Sequence, residues 1–452
     1  MRILDSHDRA AIDRLVTRDA SRDPAVTRTA ARIIRDVRRH GDAALRAWSI
    51  KLGDFHRLGD GPVFHRNGRF GDRPQDRAQG RGAGRAQGQG PKVQARDYEF
   101  ALSRRDLEAG WKATPPAVRR AIQTAIRHIE AVARRQRPEP FAVIVRPGVR
   151  IEQRVQPLSR VGCYVPGGRY PLPSTLLMTA VPARVAGVPD VTVVCPRPAP
   201  ALLCAALEAG VTRLLTIGGA QAIAALAYGT ESVARVDKIV GPGNAWVAAA
   251  KAQVSNDCAI DFHAGPSEIV ICSDRGRAEW IAADLLAQAE HDPAARTICV
   301  TTRRSLATAV AAAVRTQMPA GGAARAAITR NGAIVVMRTK REAIDFVNRL
   351  APEHLVCDRA ADVAQFQSAG TIFVGSWSAQ AAGDYCTGSN HVLPTGGAAR
   401  FRGGLSTSDF VRVFTVQSLT RRGIRAIGPH VVALAAAEGL TMHASSVERR
   451  LR

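Results

Sequence analysis

The sequence predicts an α/β protein built from two Rossmann-like α/β units with mainly parallel sheets, plus helical N-terminal and C-terminal segments. Short apolar runs alternate with helical runs twice along the chain, first from Val155 to about residue 253 and again from Ser267 to about residue 374. This alternation is typical of parallel sheets whose crossover helices cover the faces. A chain of 452 residues is also too long for one compact core, which favours two or three domains.

The two series supply the strands and helices of the two predicted units. In the first series, VTVVCP is followed by a helical run over residues 199–209, RLLTIG by 219–228 and DKIVG by 243–253. In the second series, SEIVICSD precedes residues 277–290, TICVTT precedes 304–317, AIVVM precedes 339–349, and TIFVG lies near residue 371. Two series of this length predict two separate parallel sheets.

Helical patterns flank the two units. Residues 7–48 predict two helices and residues 103–136 predict two more, with a Pro-Pro pair at the start of the last one. Between them, residues 65–92 contain no Leu, Ile or Val and are dominated by Gly, Arg and Gln, so we expect this stretch to be disordered. At the other end, the sequence predicts a helix around residues 428–440 followed by a polar tail.

The composition excludes several classes of protein. Apolar residues make up 46% of the chain, which is typical of a folded protein. The sequence has no run of 18 apolar residues and no apolar signal core after Met1, so we expect a cytoplasmic location and no membrane span. The eight cysteines include no CxxC pair and several lie in strand-like runs, which predicts reduced, buried thiols.

The formal net charge of +24 raises the hypothesis of nucleic-acid binding. Residues 1–160 carry +16 of this charge, with 34 Lys and Arg against 18 Asp and Glu. No zinc-finger spacing or aromatic RNA-recognition motif accompanies the excess, and aromatic residues are only 5% of the chain. Nucleic-acid binding is therefore disfavoured, and RNA binding through the Arg/Gly tract RAQGRGAGRAQGQGPK stays as an alternative of another functional class.

The helical stretch IAADLLAQAEH (281–291) ends in polar side chains that an ordinary surface helix does not explain. Gln288 and His291 are three residues apart, so on a helix both side chains project from one face toward a common point. Imidazole is a common zinc ligand, and an amide oxygen is a rarer neutral ligand that leaves the ion Lewis acidic. A metal site is one interpretation of this pair, and a hydrogen-bonded surface pair is the other.

Glycine-rich turns follow several of the predicted strands. Strand DKIV runs into GPGNAW and a helix, so Gly241 and Gly243 let the backbone approach a ligand while the helix N-terminus offers free N–H groups to an anion. GCYVPGG (162–168) and IGGAQAIAAL (217–226) also lie at strand ends, where α/β sheets bind ligands. The dinucleotide fingerprint GxGxxG is absent, so these turns indicate either phosphate binding or tight structural turns.

Ionisable side chains suited to acid–base chemistry lie in three further segments. APEHL places Glu353 beside His354 at the start of a strand-like run, so the two side chains are expected to diverge and to act on different protons. The remaining candidates lie in GDYCTGSNHVLPTGG and EGLTMH and are Asp384, His391, Glu438 and His443. The alternative for each is an ordinary packed or surface side chain.

Together these segments resemble the histidinol dehydrogenase family. The resemblance runs from about residue 100 to residue 446 through CYVPGG, PLPSTLLMTAVPA, GGAQAIAALAYGTE, VDKIVGPGN, AGPSE, DLLAQAEH, APEHL, AGDYCTGSNHVLPTGG and EGLTMH. The chain departs from the family's usual pattern at His263 and in residues 53–96. The resemblance implies a zinc enzyme of histidine biosynthesis that oxidises L-histidinol to L-histidine through the aldehyde in two NAD-dependent steps.

The resemblance also implies roles for individual residues. The family's zinc ligands correspond to Gln288, His291, Asp384 and His443. Its substrate contacts correspond to the zinc ligands with Ser267, His354 and Glu438, and His391 is a further candidate. Its NAD contacts correspond to Tyr164, Gln221 and Asn244, and its catalytic pair to Glu353 and His354. We expect His354 to remove the alcohol proton, Glu353 to activate the water that attacks the aldehyde, and zinc to orient the substrate.

These inferences divide the chain into four regions. Residues 1–150 form the helical region, 151–260 the first α/β unit on the NAD side, 261–380 the second unit on the zinc and catalytic side, and 381–452 the site loop, C-terminal helix and tail. The resemblance implies an intertwined homodimer in which this tail completes the partner's site.

One alternative stays within the same chemistry. A paralogous zinc and NAD dehydrogenase of another small polar alcohol would keep Gln288, His291 and Glu353. It would not need the residues that bind the imidazole of the substrate in the family. Because Asp384, Glu438 and His443 are all present, histidinol is favoured as the substrate.

Overall fold

The computed structural model describes residues 1–17, 23–53, 100–167, 172–263 and 265–452. The predicted disorder of residues 65–92 lies outside these residues. The described strands form two parallel sheets and a smaller antiparallel one. The predicted fold class, two α/β units with helical segments at both ends, is therefore confirmed.

The N-terminal region contains a strand and then helices. These elements are β1 (Arg2–Asp5), α1 (Arg9–Val16), α2 (Pro24–Leu52), α3 (Arg104–Ala113) and α4 (Pro116–Gln136). Helix α2 bends sharply at Gly41, whose φ of 50° is one that glycine adopts without strain. The bend brings Trp48 back to Asp36, whose carboxylate accepts the indole N–H at 3.0 Å.

The first α/β unit holds the sheet with strand order β6-β5-β4-β7-β8, in which the strands pair in parallel. Its elements are β4 (Arg160–Tyr164), α5 (Pro173–Ala186), β5 (Asp190–Val194), α6 (Pro200–Ala209), β6 (Arg213–Leu215), α7 (Gly219–Tyr228), β7 (Lys238–Val240), α8 (Ala245–Val254) and β8 (Ala259–Ile260). The chain winds outward in opposite directions from β4 and β7. A ligand crevice is expected beyond the carboxyl ends of these two strands.

The second α/β unit holds the sheet with strand order β1-β11-β10-β9-β12-β13, again with parallel pairs. Its elements are β9 (Glu268–Cys272), α9 (Ala278–Ala289), β10 (Arg296–Thr301), α10 (Arg304–Gln317), α11 (Gly322–Asn331), β11 (Gly332–Val336), α12 (Lys340–Leu350), β12 (His354–Cys357) and β13 (Thr371–Val374). The N-terminal strand β1 forms one edge, where it pairs in parallel with β11, and Leu4 joins Val335 in the core under the sheet. The region that the sequence assigns to helices thus also contributes a strand.

An antiparallel sheet and the C-terminal helices complete the described structure, and residues 151–157 of this sheet fall within the range predicted for the first unit. They consist of β2 (Phe141–Arg146), β3 (Val149–Pro157), α13 (Gln380–Tyr385), β14 (Val411–Leu419), α14 (Arg421–Ala437) and α15 (Thr441–Leu451). The sheet order is β14-β3-β2, and every residue of the edge strand β2 is exposed. The polar tail forms the helix α15, which packs on α14 where Leu451 meets Gly428. Among the described helices, none has the length and apolarity needed to cross a membrane.

Candidate active site

A cavity of about 640 Å³ lies between the two α/β units and has the size of a small-molecule site. The first unit contributes residues beyond the carboxyl ends of its strands, including Tyr164, Gly219 and Asn244. The second unit contributes residues at the amino ends of β9 and β12, including Ser267 and Glu353. The second sheet therefore meets the cavity with the edge opposite to the one at which open α/β sheets usually bind ligands.

Most of the site residues predicted from the sequence line this cavity. They are Tyr164, Asn244, Ser267, Gln288, His291, Glu353, His354, Asp384 and His391. Gln221 is fully buried in α7, and its amide lies against Gly219 of the lining. Glu438 and His443 are exposed in the C-terminal segment and do not line the cavity of this single chain. His263 is also exposed and lies outside the lining.

The Glu353 carboxylate is buried and held by two donors. Its Oε2 accepts hydrogen bonds from Ser267 Oγ at 2.8 Å and from the Glu268 amide at 2.7 Å. Ser267 Oγ in turn accepts a hydrogen bond from Gln288 Nε2. A chain of hydrogen bonds thus runs from the end of α9 to the start of β12 and fixes the direction of the carboxylate.

The His354 ring is oriented by its Nδ1 atom, which lies 3.1 Å from the Glu268 carbonyl oxygen. A carbonyl oxygen only accepts hydrogen bonds, so Nδ1 carries a hydrogen and the neutral ring has its lone pair on Nε2. Nε2 lies 3.8 Å from Asp384 Oδ1, and Phe373 of β13 stacks on the ring with the centroids 6.2 Å apart. The atom that can accept a proton is therefore on the Asp384 side of the ring.

The side chains of Glu353 and His354 do not diverge as the sequence predicts. His354 Nδ1 lies 3.6 Å from Glu353 Oε2. The alternation of side chains along a strand does not apply to this pair, because β12 begins at His354 and Glu353 lies in the bend before it. The two groups are therefore neighbours, and the Glu353 carboxylate acts on the charge of the His354 ring.

The charges around His354 set its protonation state. Burial lowers the pKa of His354, but the carboxylates of Glu353 and Asp384 together outweigh burial and raise the pKa to about 10. Burial likewise acts to raise the pKa of Asp384, but His354, His391 and His291 bring this pKa below its usual value. A raised pKa favours the protonated ring, and any cation that binds Asp384 will lower the pKa of His354 toward neutrality.

Asp384 is positioned by a glutamine and a histidine. Gln380 lies one helical turn earlier in α13, and its Nε2 donates to Asp384 Oδ2 at 2.8 Å. His391 Nδ1 donates to the Asp384 carbonyl oxygen at 2.8 Å, and its Nε2 accepts from Thr175 Oγ1 at 3.3 Å. Both ring nitrogens of His391 are thus engaged within the chain. The sequence did not single out Gln380, although its i, i+4 spacing from Asp384 was visible.

Gln288, His291 and Asp384 bring three metal-compatible donors to one side of the cavity. Gln288 Oε1 is buried and accepts no hydrogen bond from the part of the chain that the structure describes, which is unusual for a buried amide oxygen. His291 Nε2 lies 3.8 Å from Asp384 Oδ2. Helix α9 ends at Ala289, so His291 lies in the turn after the helix, where the approach to Pro293 disfavours further helix.

The donor set is mixed in chemistry. Within residues 1–17, 23–53, 100–167, 172–263 and 265–452, no group of three or more His, Cys, Asp or Glu side chains is arranged to hold a metal ion. A site here therefore depends on the Gln288 amide oxygen. It also needs a fourth donor from elsewhere to reach tetrahedral coordination by protein ligands alone.

The other side of the cavity is built from closely packed turns. Tyr164 Oη accepts a hydrogen bond from the Gly219 amide at 3.1 Å. Asn244 Oδ1 accepts hydrogen bonds from the amides of Trp246 and Val247, both at 3.1 Å, and so caps α8. The N-termini of α7 and α8 both lie at the cavity, which is an arrangement suited to phosphate groups.

Comparison with known proteins identifies the family. The histidinol dehydrogenase family model matches residues 87–451. The chain belongs to the histidinol dehydrogenase family. The histidinol dehydrogenase of Syntrophotalea carbinolica is 42% identical over 100% of this chain and 99% of its own length. That of Methanothermobacter thermautotrophicus is 46% identical over 78% of this chain and 86% of its own length.

A solved structure of the histidinol dehydrogenase family has the same fold. The crystal structure of histidinol dehydrogenase from Elizabethkingia anophelis matches with a TM-score of 0.86 and 30% identity, covering 100% of this chain and 98% of that one. The resemblance inferred from the sequence is thus confirmed, and membership of the histidinol dehydrogenase family makes the chain an oxidoreductase.

The cysteines agree with the sequence-based prediction of reduced thiols. All eight are free. Cys163 lies next to Tyr164 but is fully buried, and burial raises the pKa of its thiol to about 12. A thiol in this state is a poor nucleophile, which disfavours Cys163 as a catalytic group.

Proposed function

We propose that the protein is a zinc- and NAD-dependent enzyme that oxidises L-histidinol to L-histidine through L-histidinal, the last steps of histidine biosynthesis. The convergence of Glu353 and His354 with Gln288, His291 and Asp384 in one cavity carries the proposal. The names of the relatives support histidinol as the substrate.

A steady-state assay with L-histidinol and NAD tests this proposal. The expected result is two NADH for each L-histidine formed. The parent protein would contradict the proposal if it bound histidinol but formed no NADH at saturating substrate. The same assay tests the alternative of a different small alcohol. A higher kcat/KM for another small polar alcohol than for L-histidinol would favour that alternative.

The donors in the cavity fit a zinc ion. Gln288 Oε1, His291 and Asp384 would hold it, and His443 of the partner subunit would be the fourth ligand. The orphaned buried Oε1 of Gln288 supports this assignment, because metal binding would satisfy it. When bound, zinc supplies Lewis-acid polarisation and a template for the amine and imidazole of the substrate.

The opposite side of the cavity fits a dinucleotide. Tyr164 and Asn244 would hold NAD together with the N-termini of α7 and α8, and Gln221 would support Gly219 from behind. NAD, when bound, accepts the hydride in each oxidation. The role of these residues is to place the cofactor against the carbon that is oxidised.

His354 acts as the general base of the first oxidation. Its Nε2 atom takes the proton of the substrate hydroxyl while the carbon loses its hydride. This role needs a neutral ring, so the pKa of about 10 must fall, and a cation held by Asp384 has that effect. Glu353 then takes a proton from the water that attacks the aldehyde carbon, since Ser267 and the Glu268 amide hold its carboxylate in one direction.

We also infer a homodimer. Large apolar side chains are exposed on β2 and on the C-terminal segment: Phe141 is 55% exposed, Ile144 69%, Leu434 67% and Met442 78%. Apolar surface of this kind marks contact with another protein when it forms a continuous patch. Glu438 and His443 lie in the same C-terminal segment as Leu434 and Met442, and in the inferred dimer both residues reach the partner's cavity, twice by symmetry.

Glu353→Gln is expected to slow the oxidation of supplied L-histidinal by about 10² to 10⁴, the usual contribution of a general base. Glutamine keeps the size of the side chain but cannot accept a proton from water. The change also removes one of the carboxylates that raise the pKa of His354, so the acid limb of the histidinol oxidation should move to lower pH.

Single-turnover rates of the two oxidations, each measured across pH, check both effects. The control is Glu342→Gln, which changes a partly exposed carboxylate in α12 that pairs with Arg338 and lies outside the cavity. A Glu353→Gln variant that oxidised histidinal as fast as this control would show that Glu353 does not activate water.

A further inference from the structure

A buried ion pair lies beneath the turn that follows β7. The side chains of Lys251 and Asp261 are only 3% and 1% exposed, and Lys251 Nζ donates to Asp261 Oδ1. Burying two charges costs a desolvation penalty that their attraction offsets only when the geometry is good and further hydrogen bonds form. Neither residue lines the cavity, so direct contact with a ligand does not account for the pair.

Both members of the pair bond the backbone of Gly241. Lys251 Nζ donates to the Gly241 carbonyl oxygen at 2.9 Å, and Asp261 Oδ2 accepts from the Gly241 amide at 2.7 Å. Gly241 has a φ of 109°, and a Cβ at this position would collide with the carbonyl oxygen of Tyr164. The pair therefore clamps both polar groups of a residue that is packed tightly against the end of β4.

The clamped residue directly precedes a segment that lines the cavity. Pro242, Gly243 and Asn244 follow it directly and line the cavity, and Asn244 caps α8. Lys251 belongs to α8, so its side chain links the helix to the turn that precedes it. The pair thereby fixes where the N-terminus of α8 lies relative to Tyr164.

We propose that Lys251 and Asp261 are positioning residues for the cofactor. They hold the Gly241 turn so that Tyr164 and the N-terminus of α8 keep the spacing that binds the dinucleotide, although neither side chain touches it. This inference rests on the proposed use of NAD. It assigns a functional reason for the burial of two charges that hydrophobic side chains could replace.

The test is the double variant Lys251→Met/Asp261→Asn. Removing both charges avoids the large cost of leaving one of them buried without a partner, so the fold should persist. The Gly241 carbonyl loses its charged donor, and the KM for NAD should rise by about tenfold, the range expected for a lost hydrogen bond to a charged group. The KM for histidinol and the kcat at saturating NAD should stay within about twofold of the parent.

The matched control is Lys238→Met. Lys238 is the first residue of β7, the strand that leads into the Gly241 turn. Its Nζ donates to Asp409 Oδ1 at 3.0 Å and does not bond the turn. The control should lower Tm without changing the KM for NAD. A folded double variant with the same KM for NAD as this control overturns the inference.

A second variant keeps the test decisive. Asp261→Glu retains the charge pair but lengthens the side chain by one methylene, which displaces the bond to the Gly241 amide. It should also raise the KM for NAD. If the double variant fails to fold, the KM for NAD of Asp261→Glu is compared with that of the Lys238→Met control instead, and an equal KM overturns the inference. If the parent itself does not oxidise histidinol with NAD, the proposed function fails, which is a different outcome from an unchanged KM in the variants.

Discussion

Extensive chelation is expected to lower histidinol turnover by about a hundredfold to a thousandfold, and added zinc should restore it. A Lewis acid contributes several kcal/mol to charge stabilisation in the transition state, so its removal costs this much in rate. Without it, Gln288 Oε1 remains a buried acceptor without a donor, and His354 keeps the high pKa that opposes a general base. The measurement is kcat before chelation, after it and after zinc is returned, with metal content determined at each stage.

Two substitutions at Gln288 test whether this residue is a zinc ligand. Gln288→Ala removes the oxygen donor and should lower both metal content and turnover. Gln288→Glu keeps an oxygen donor and should retain the metal, although the added negative charge makes the ion less electrophilic. Full turnover by protein shown to be free of metal would contradict the zinc assignment.

Mixing two inactive variants is expected to recover activity from a background of almost none. One chain carries His354→Asn and an intact C-terminus, and the other has an intact His354 but lacks residues 438–452. If the C-terminal segment acts on the partner's cavity, each heterodimer has one site with both defects and one site with neither. Random pairing of equal amounts would then give about a quarter of the parent activity, because half of the dimers are mixed.

The deletion also removes α15, which packs on α14. A second experiment therefore uses a point substitution in place of the deletion as a control. His443→Asn replaces the deletion in that experiment and leaves the helix in place. If the segment acts within its own chain, every site keeps one defect and the mixture stays inactive. An inactive mixture, with heterodimer formation verified, would rule out the shared site.

Local sequence pattern was enough to predict most of the α/β architecture. Most strands of the two parallel sheets are short apolar runs followed by helical periodicity, and each such signal is confined to about ten residues. The antiparallel sheet was not predicted, because β14 pairs with β3 across more than 250 residues and β2 is fully exposed. The local sequence pattern of a strand does not indicate which distant strand it pairs with.

The site was only partly accessible from the sequence. Gln288, Glu353 and Asp384 were singled out by residue type and position along the chain, Ser267 by the family resemblance alone, and the structure gathers all four in one cavity. The hydrogen bonds that orient Glu353, and the support of Asp384 by Gln380, depend on tertiary packing. The directions of Glu353 and His354 were mispredicted because the rule of strand alternation was extended to a residue that precedes the strand.

The opposite edges with which the two sheets meet the cavity also determine its electric polarity. On one side α7 and α8 begin, and each helix start carries about half a positive charge from its aligned peptide dipoles. On the other side α9 and α12 end near Gln288 and Glu353, and each helix end carries about half a negative charge. The backbone therefore favours an anionic molecule on one wall and a cationic one on the other before any side chain takes part. In the proposed reaction, this polarity would place the amine of the substrate and the pyrophosphate of the cofactor against opposite walls, with the hydride transferred between them.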